Sequence, residues 1–183
     1  MKATGELRKE HEGIRIMLEI LQTVAQKMVD GESVPRDEID DIMEFLTIFV
    51  DTCHHGKEEE FLFPALESAG IARNNGPIGV MLHEHEQGRK FILNMKNSLG
   101  KFGSTKFNAP SFQQYVEEYV SLLNEHILKE NNKLFPMAEK LFDADRDQEL
   151  YKNFEELERE RIGVGKHEAF HALMDKLSNK YKK

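Results

Sequence analysis

The sequence predicts an all-α protein, an up-down-up-down four-helix bundle with a short C-terminal helical extension. Apolar residues recur three and four positions apart along nearly the whole chain, the spacing of a helix that buries one stripe. Strict apolar/polar alternation, the pattern of a half-buried strand, is absent. Four long periodic stretches are separated by breaks of about eight to twelve residues, connections suited to antiparallel neighbours.

The first helix is expected from about Thr4 to Asp30, with Leu7, Ile14, Leu18 and Leu21 on one face. "GESVPRDE" (31–38) interrupts it, and Pro35 suits the start of a helix, where its missing N–H is not needed. The second helix begins near Asp37 and carries Ile39, Ile42, Met43, Leu46, Phe49 and Val50 on to Phe61. "SAGIARNNGP" (68–77) is turn chemistry throughout. The third helix runs from about Ile78 to Leu99. After the loop "GKFGSTKFNAPS" (100–111) a fourth starts near Ser111, with Phe112, Tyr115, Tyr119, Leu122 and Leu123 inside. "DADRDQ" (143–148) caps a helix from Leu150 to Ile162, and "GVG" (163–165) separates it from a last one reaching Lys180. A single domain, 1–183, is expected, with the bundle over about 4–142 and the extension over about 146–181.

Composition narrows the function classes. With 39% hydrophobic and 32% charged residues the chain has the balance of a globular protein rather than a disordered one. No apolar run approaches the roughly 18–20 residues that cross a bilayer, and "MKATGELRKEHEG" lacks the apolar core of a secretory signal. Cys53 is the only cysteine, so no intrachain disulfide can form and a cytoplasmic location is expected. A net charge of −8 argues against nucleic-acid partners.

An internal repeat selects residues for chemistry. "HHGKEEEFLFPALE" (54–67) aligns without gaps to "HILKENNKLFPMAE" (126–139), pairing His54 with His126 and Glu58 with Glu130 in a shared H-x-x-x-E followed by L-F-P. Residues four apart on a helix share a face. At about 100° per residue, His54 aligns with Met43, Leu46, Val50 and Phe61, and His126 with Phe112, Tyr115, Tyr119 and Leu123. His55 aligns instead with Asp51, Thr52 and Glu59. His11 is inward by its spacing from Leu7, Ile14 and Leu18, and His85 by its spacing from Met81, Leu82 and Ile92, whereas His83 faces polar surface.

A lone inward histidine is most often a hydrogen-bonded core residue. Four imidazoles and two carboxylates turned into one interior are different, because two unpaired buried carboxylates would each cost several kcal/mol. A dication removes that cost. Six ligands suit two ions bridged by Glu58 and Glu130, with His11, His54, His85 and His126 at the ends. Imidazole and carboxylate without thiolate favour iron, with manganese or zinc as alternatives.

His11 in "KEHEGIR", "HHGKEEEFLFP", His85 in "MLHEHEQGR" and "HILKENNKLFP" resemble the hemerythrin-like (HHE cation-binding) family over about residues 4–142. The resemblance implies a four-helix bundle around a carboxylate-bridged non-haem di-iron centre. It places the family's first-helix histidine on His11, its second-helix pair on His54 and Glu58, and its fourth-helix pair on His126 and Glu130. The oxygen carriers of the family have H-x-x-x-H on the third helix and a fourth-helix aspartate. Here Met81 stands four residues before His85, and the acid is Glu130. His167, in "GKHEAFHALMDKL", is a candidate to complete the metal shell if the last helix packs over the open end; His55 and His171 are further candidates.

The expected function is a metal-binding protein whose iron pair binds or reacts with O2, NO or peroxide. A ferritin-like oxidase would need E-x-x-H on two helices, and only Glu168–His171 fits that pattern. Relatives that repair iron–sulfur clusters carry an N-terminal cysteine-bearing segment, not seen in this sequence. A metal-dependent regulatory module would be expected beside an output domain, and the stretch after the bundle is short for one.

Overall fold

The computed structural model describes residues 1–163 and 165–181, whose regular elements are all helical, with no strand among them. Helix α1 (Lys2–Val29) leads through the Pro35 break into α2 (Arg36–Glu44). The chain then continues without a break through two segments of π-helix, π1 (Phe45–His55) and π2 (Glu58–Leu62), into α3 (Phe63–Ser68). Helix α4 spans Pro77–Leu99. Helix α5 (Ala109–Lys129) runs through π3 (Glu130–Leu134) into α6 (Phe135–Leu141). Helices α7 (Ala144–Arg161) and α8 (Lys166–Tyr181) follow. The Asn108 and Asp143 side chains cap α5 and α7 by accepting from Ser111 N and Arg146 N, each at 2.9 Å.

Segments π2 and π3 have a local cause. Pro64 and Pro136 lie in the first turns of α3 and α6. Inside a continuous helix a proline has no N–H to donate and its ring crowds the carbonyl four residues back. The wider i→i+5 turns of π2 and π3, immediately before the prolines, accommodate both faults without breaking the rod. They occupy the same positions of the repeat, 58–62 and 130–134.

The core lies in two adjoining clusters. One, including Ile14, Leu18, Leu46, Phe112 and Leu123, also takes in Phe170, Met174, Leu177 and Tyr181 of α8. The other, beneath the L-F-P elements, joins Leu7, Phe63, Phe135 and Phe154 of α7. The C-terminal helices therefore pack into the main core rather than beside it. Gly13 permits this: a Cβ there would lie 3.3 Å from Met174 Sδ. Lys180 and Tyr181 both donate to Glu38, fastening the end of α8 to α2. The break expected at 163–165 appears as positive φ at Gly163 and Gly165; Val164 lies outside the described residues, as do 182 and 183 of the expected domain. Among the described residues no helix is long and apolar enough to cross a membrane.

Candidate metal centre

Seven side chains converge between α1, the α2–α3 rod, α4 and the α5–α6 rod: His11, His54, His55, Glu58, His85, His126 and Glu130, each no more than 3% exposed. Six of them are those the sequence singles out. They form two sets that share both carboxylates, His11 with His54 and His85 with His126. The Nε2 atoms of His11 and His54 face each other at 3.0 Å, as do those of His85 and His126.

Each carboxylate reaches both sets. Glu58 places Oε1 3.7 Å from His54 Nε2 and Oε2 3.4 Å from His85 Nε2. Glu130 places Oε2 3.1 Å from His11 Nε2 and Oε1 3.2 Å from His126 Nε2. None of these four oxygens makes a hydrogen bond among the described residues. One oxygen toward each histidine set is the disposition of a bridging carboxylate.

The far side of every ring is tied down. The Nδ1 atoms of His11, His54, His85 and His126 lie 3.0, 2.8, 2.7 and 2.9 Å from Asn131, Glu10, Glu59 and Glu84 oxygens. An oxygen acceptor there fixes the proton on Nδ1 and turns the Nε2 lone pair inward, as in the carboxylate–histidine–metal arrangement. Two lone pairs facing at 3.0 Å repel unless a proton or a cation lies between them. The residues present fit a pair of cations.

Without metal, protons must balance these charges. Burial, then the Glu130 charge, pushes Glu58 well above the ordinary carboxylate range. Burial opposes ionisation of Glu130 too, but His126 and His11 hold it well below that range. Burial lowers His54 to about 4 and His85 well below its usual value. Burial works the same way on His126, yet the Glu130 and Glu84 carboxylates raise it to about 9. Metal binding would therefore release protons.

The internal repeat extends into these supports. Glu10, just before His11, holds His54; Glu84, just before His85, holds His126. Lys57 donates to Glu10, and Lys129, its repeat mate, donates to Glu84. Phe135 stacks on His11 with centroids 5.4 Å apart, and Phe63 on His85 at 5.8 Å. Sequence reasoning missed this layer, although the twice-used Glu-His pair signals it. Of the three consecutive glutamates, Glu58 enters the cluster, Glu59 holds His85, and Glu60 pairs with Arg161 at the surface.

Two expectations are corrected. His55 is not outward: it is 3% exposed, its ring stacks on His85 at 3.8 Å, and its Nε2 joins His85 and His126 with no hydrogen-bond partner among the described residues. The sequence reading advanced 100° per residue, but π1 takes about one residue more per turn, so that phase drifts before residue 55. Asp51, four residues earlier and 3.5 Å from His55 Nδ1, was the available signal. His167 does not reach the cluster. Its Nδ1 faces Glu158 and its Nε2 faces His171, because α8 packs along α1 instead of over the site. His83 is exposed as expected. Cys53 is buried and its thiol pushed up to about 12 by burial, a packing residue; Glu10 and Glu158 near it are already held by Lys57.

Comparison with known proteins agrees with this geometry. The family profile described as Hemerythrin HHE cation binding domain matches residues 2–138. A Neisseria gonorrhoeae protein named iron-sulfur cluster repair protein DnrN is 32% identical over 137 residues, 70% of this chain and 84% of that one. A Dickeya chrysanthemi protein named iron-sulfur cluster repair protein YtfE is 36% identical over 98 residues, 51% of this chain and 44% of that one. An uncharacterised Mycobacterium tuberculosis protein aligns at 22% identity over 180 residues, 97% of this chain and 68% of that one. No solved structure matches the chain.

Proposed function

The chain belongs to the hemerythrin HHE cation-binding family, and on that premise we propose that it is a non-haem di-iron protein whose centre binds or reacts with a small ligand such as O2, NO or peroxide. The observation that carries this is the pair of unpartnered carboxylates, Glu58 and Glu130, each presenting one oxygen to each histidine set. Imidazole with carboxylate suits iron, and also manganese or zinc. The long helices α1, α2–α3, α4 and α5–α6 are read as the up-down-up-down bundle around it, with α7 and α8 as the extension, in a cytoplasmic protein without nucleic-acid or membrane partners.

When bound, reduced iron would supply electrons and a coordination position for the small ligand. The protein's own part is to hold five imidazoles in one tautomer, supply two bridging carboxylates, and exclude bulk water with Phe63 and Phe135. The sets are unequal. Three histidines (His55, His85 and His126) serve one side and two (His11 and His54) the other. Ile127, the repeat mate of His55, is buried and offers no donor. The His11/His54 side is thus the one left a ligand short, and an open position marks a reactive rather than a structural site.

Reduced protein exposed to oxygen should develop a near-ultraviolet or visible band, and azide or NO should perturb it. A band that fades under vacuum identifies reversible binding; a persistent one identifies oxidation. A centre inert to all three ligands would reduce the metal to a stabiliser and remove this function. Iron–sulfur cluster repair is the second reading, favoured by the names of the relatives. It predicts restored activity of a damaged cluster enzyme by wild type and not by His54→Ala. The ferritin-like alternative has less support, since Glu168 and His171 are exposed on α8, outside the cluster.

A further inference from the structure

We propose that His167 and His171 form a second, mononuclear site for a divalent transition-metal cation such as Zn2+, separate from the buried centre. Residues 167–171 read "HEAFH", the H-E-x-x-H spacing that places two imidazoles on one helix face for zinc. The required context is present. Both residues lie in the first turns of α8 (Lys166–Tyr181), with their Nε2 atoms 2.9 Å apart and their rings stacked at 4.8 Å.

The support behind His167 repeats the design of the buried centre. Its Nδ1 faces a Glu158 oxygen, and the other Glu158 oxygen accepts from Lys57 at 3.0 Å. Lys57 also donates to Glu10, which holds His54. One buried ammonium thus anchors the carboxylate behind His54 and the carboxylate behind His167. Phe49 packs edge-on against His167 at 5.6 Å and fixes the ring further. In the metal-free chain a proton lies between the two Nε2 atoms at 2.9 Å, and a cation takes its place.

The two rings line a cavity of ≈ 560 Å³ in whose wall Glu6, Glu10, Glu155, Glu158 and Glu168 outnumber the cations Lys9 and Arg159. That acidic surround concentrates cations, and its volume leaves room for water to complete the coordination of an ion held by two histidines. Two imidazoles suit zinc, copper(II) or nickel more than magnesium or calcium. Catalysis is not part of the proposal.

The test is calorimetric titration of tag-free, iron-loaded protein with Zn2+, with iron content followed in parallel. Wild type should take up one Zn2+ without losing iron. His171→Ala should weaken that uptake at least about tenfold while keeping its iron and its absorption spectrum. His83→Ala, which removes an exposed histidine elsewhere, should bind as wild type. Absence of uptake by the iron-loaded protein, equal uptake by wild type and His171→Ala, or loss of iron together with zinc in His171→Ala would each overturn the proposal.

Discussion

His54 and His55 are neighbours in sequence, yet each places a ring nitrogen in a different half of the centre. His54 pairs with His11 at 3.0 Å, whereas His55 stacks on His85 at 3.8 Å. His55→Ala is therefore expected to lose metal as His54→Ala does, chiefly from the side served by His85 and His126; elemental analysis of the two purified variants compares them. Full occupancy in His55→Ala would return that ring to a packing role. Lys57 supports a second residue-scale prediction. It is fully buried against Glu6, Glu10 and Glu158 at 2.6–3.0 Å, so Lys57→Met leaves the buried Glu10 carboxylate without its cation, at a cost of about 3–5 kcal/mol. The pH dependence has a definite sign. Burial opposes ionisation of Glu10, but the bonds to His54 and Lys57 lower it from 4.5 to about 2. A carboxyl lowered in the fold stabilises fully above its unfolded value and loses that contribution as pH falls toward its folded value. Denaturation of metal-free protein between pH 6 and pH 2.5 should show wild type losing stability with acid and Lys57→Met following a flatter line. Parallel lines would mean that Glu10 is not held by Lys57.

The helical rods show why some of this was legible and some not. Helix boundaries followed from turn chemistry and proline placement, and the H-x-x-x-E repeat identified His54, Glu58, His126 and Glu130 because i and i+4 coincide on any nearly α-helical face. π1 was not legible: Phe45–His55 carries no proline, and nothing in its composition announces a wider turn. The error at His55 follows from that single assumption. The error at His167 has another origin, since a helix's apolar stripe says what it buries but not which neighbour it lies on. Helix α4 offers a test at this scale. Gly88 sits in its interior, and an added Cβ would meet Tyr119 Cε2 at 3.6 Å and Leu123 Cδ2 at 3.7 Å, ordinary contact distances. Gly88→Ala should therefore stabilise the protein by about 0.5–1 kcal/mol, through helix propensity alone, read as a higher denaturant midpoint. A lower midpoint would show that α4 and α5 lack room for a methyl group.

At the scale of the molecule, an acidic chain folds two similar helix pairs around one buried cluster, each pair supplying a Glu-His and an H-x-x-K-E to the same design. The C-terminal helices, expected as a short extension after the bundle, close the core against α1, with Lys57 linking α7 to the metal site through Glu158. Among the described residues the Glu58 and Glu130 carboxylates have no hydrogen-bond partner at the centre of that assembly, and the two are anions together only with cations between them. A dinuclear centre therefore requires a definite stoichiometry. Protein grown with iron and purified without chelators should contain about two iron ions per chain by elemental analysis, the number that two histidine sets and two shared carboxylates require. One ion per chain, or none, would contradict the dinuclear centre and with it the proposed function.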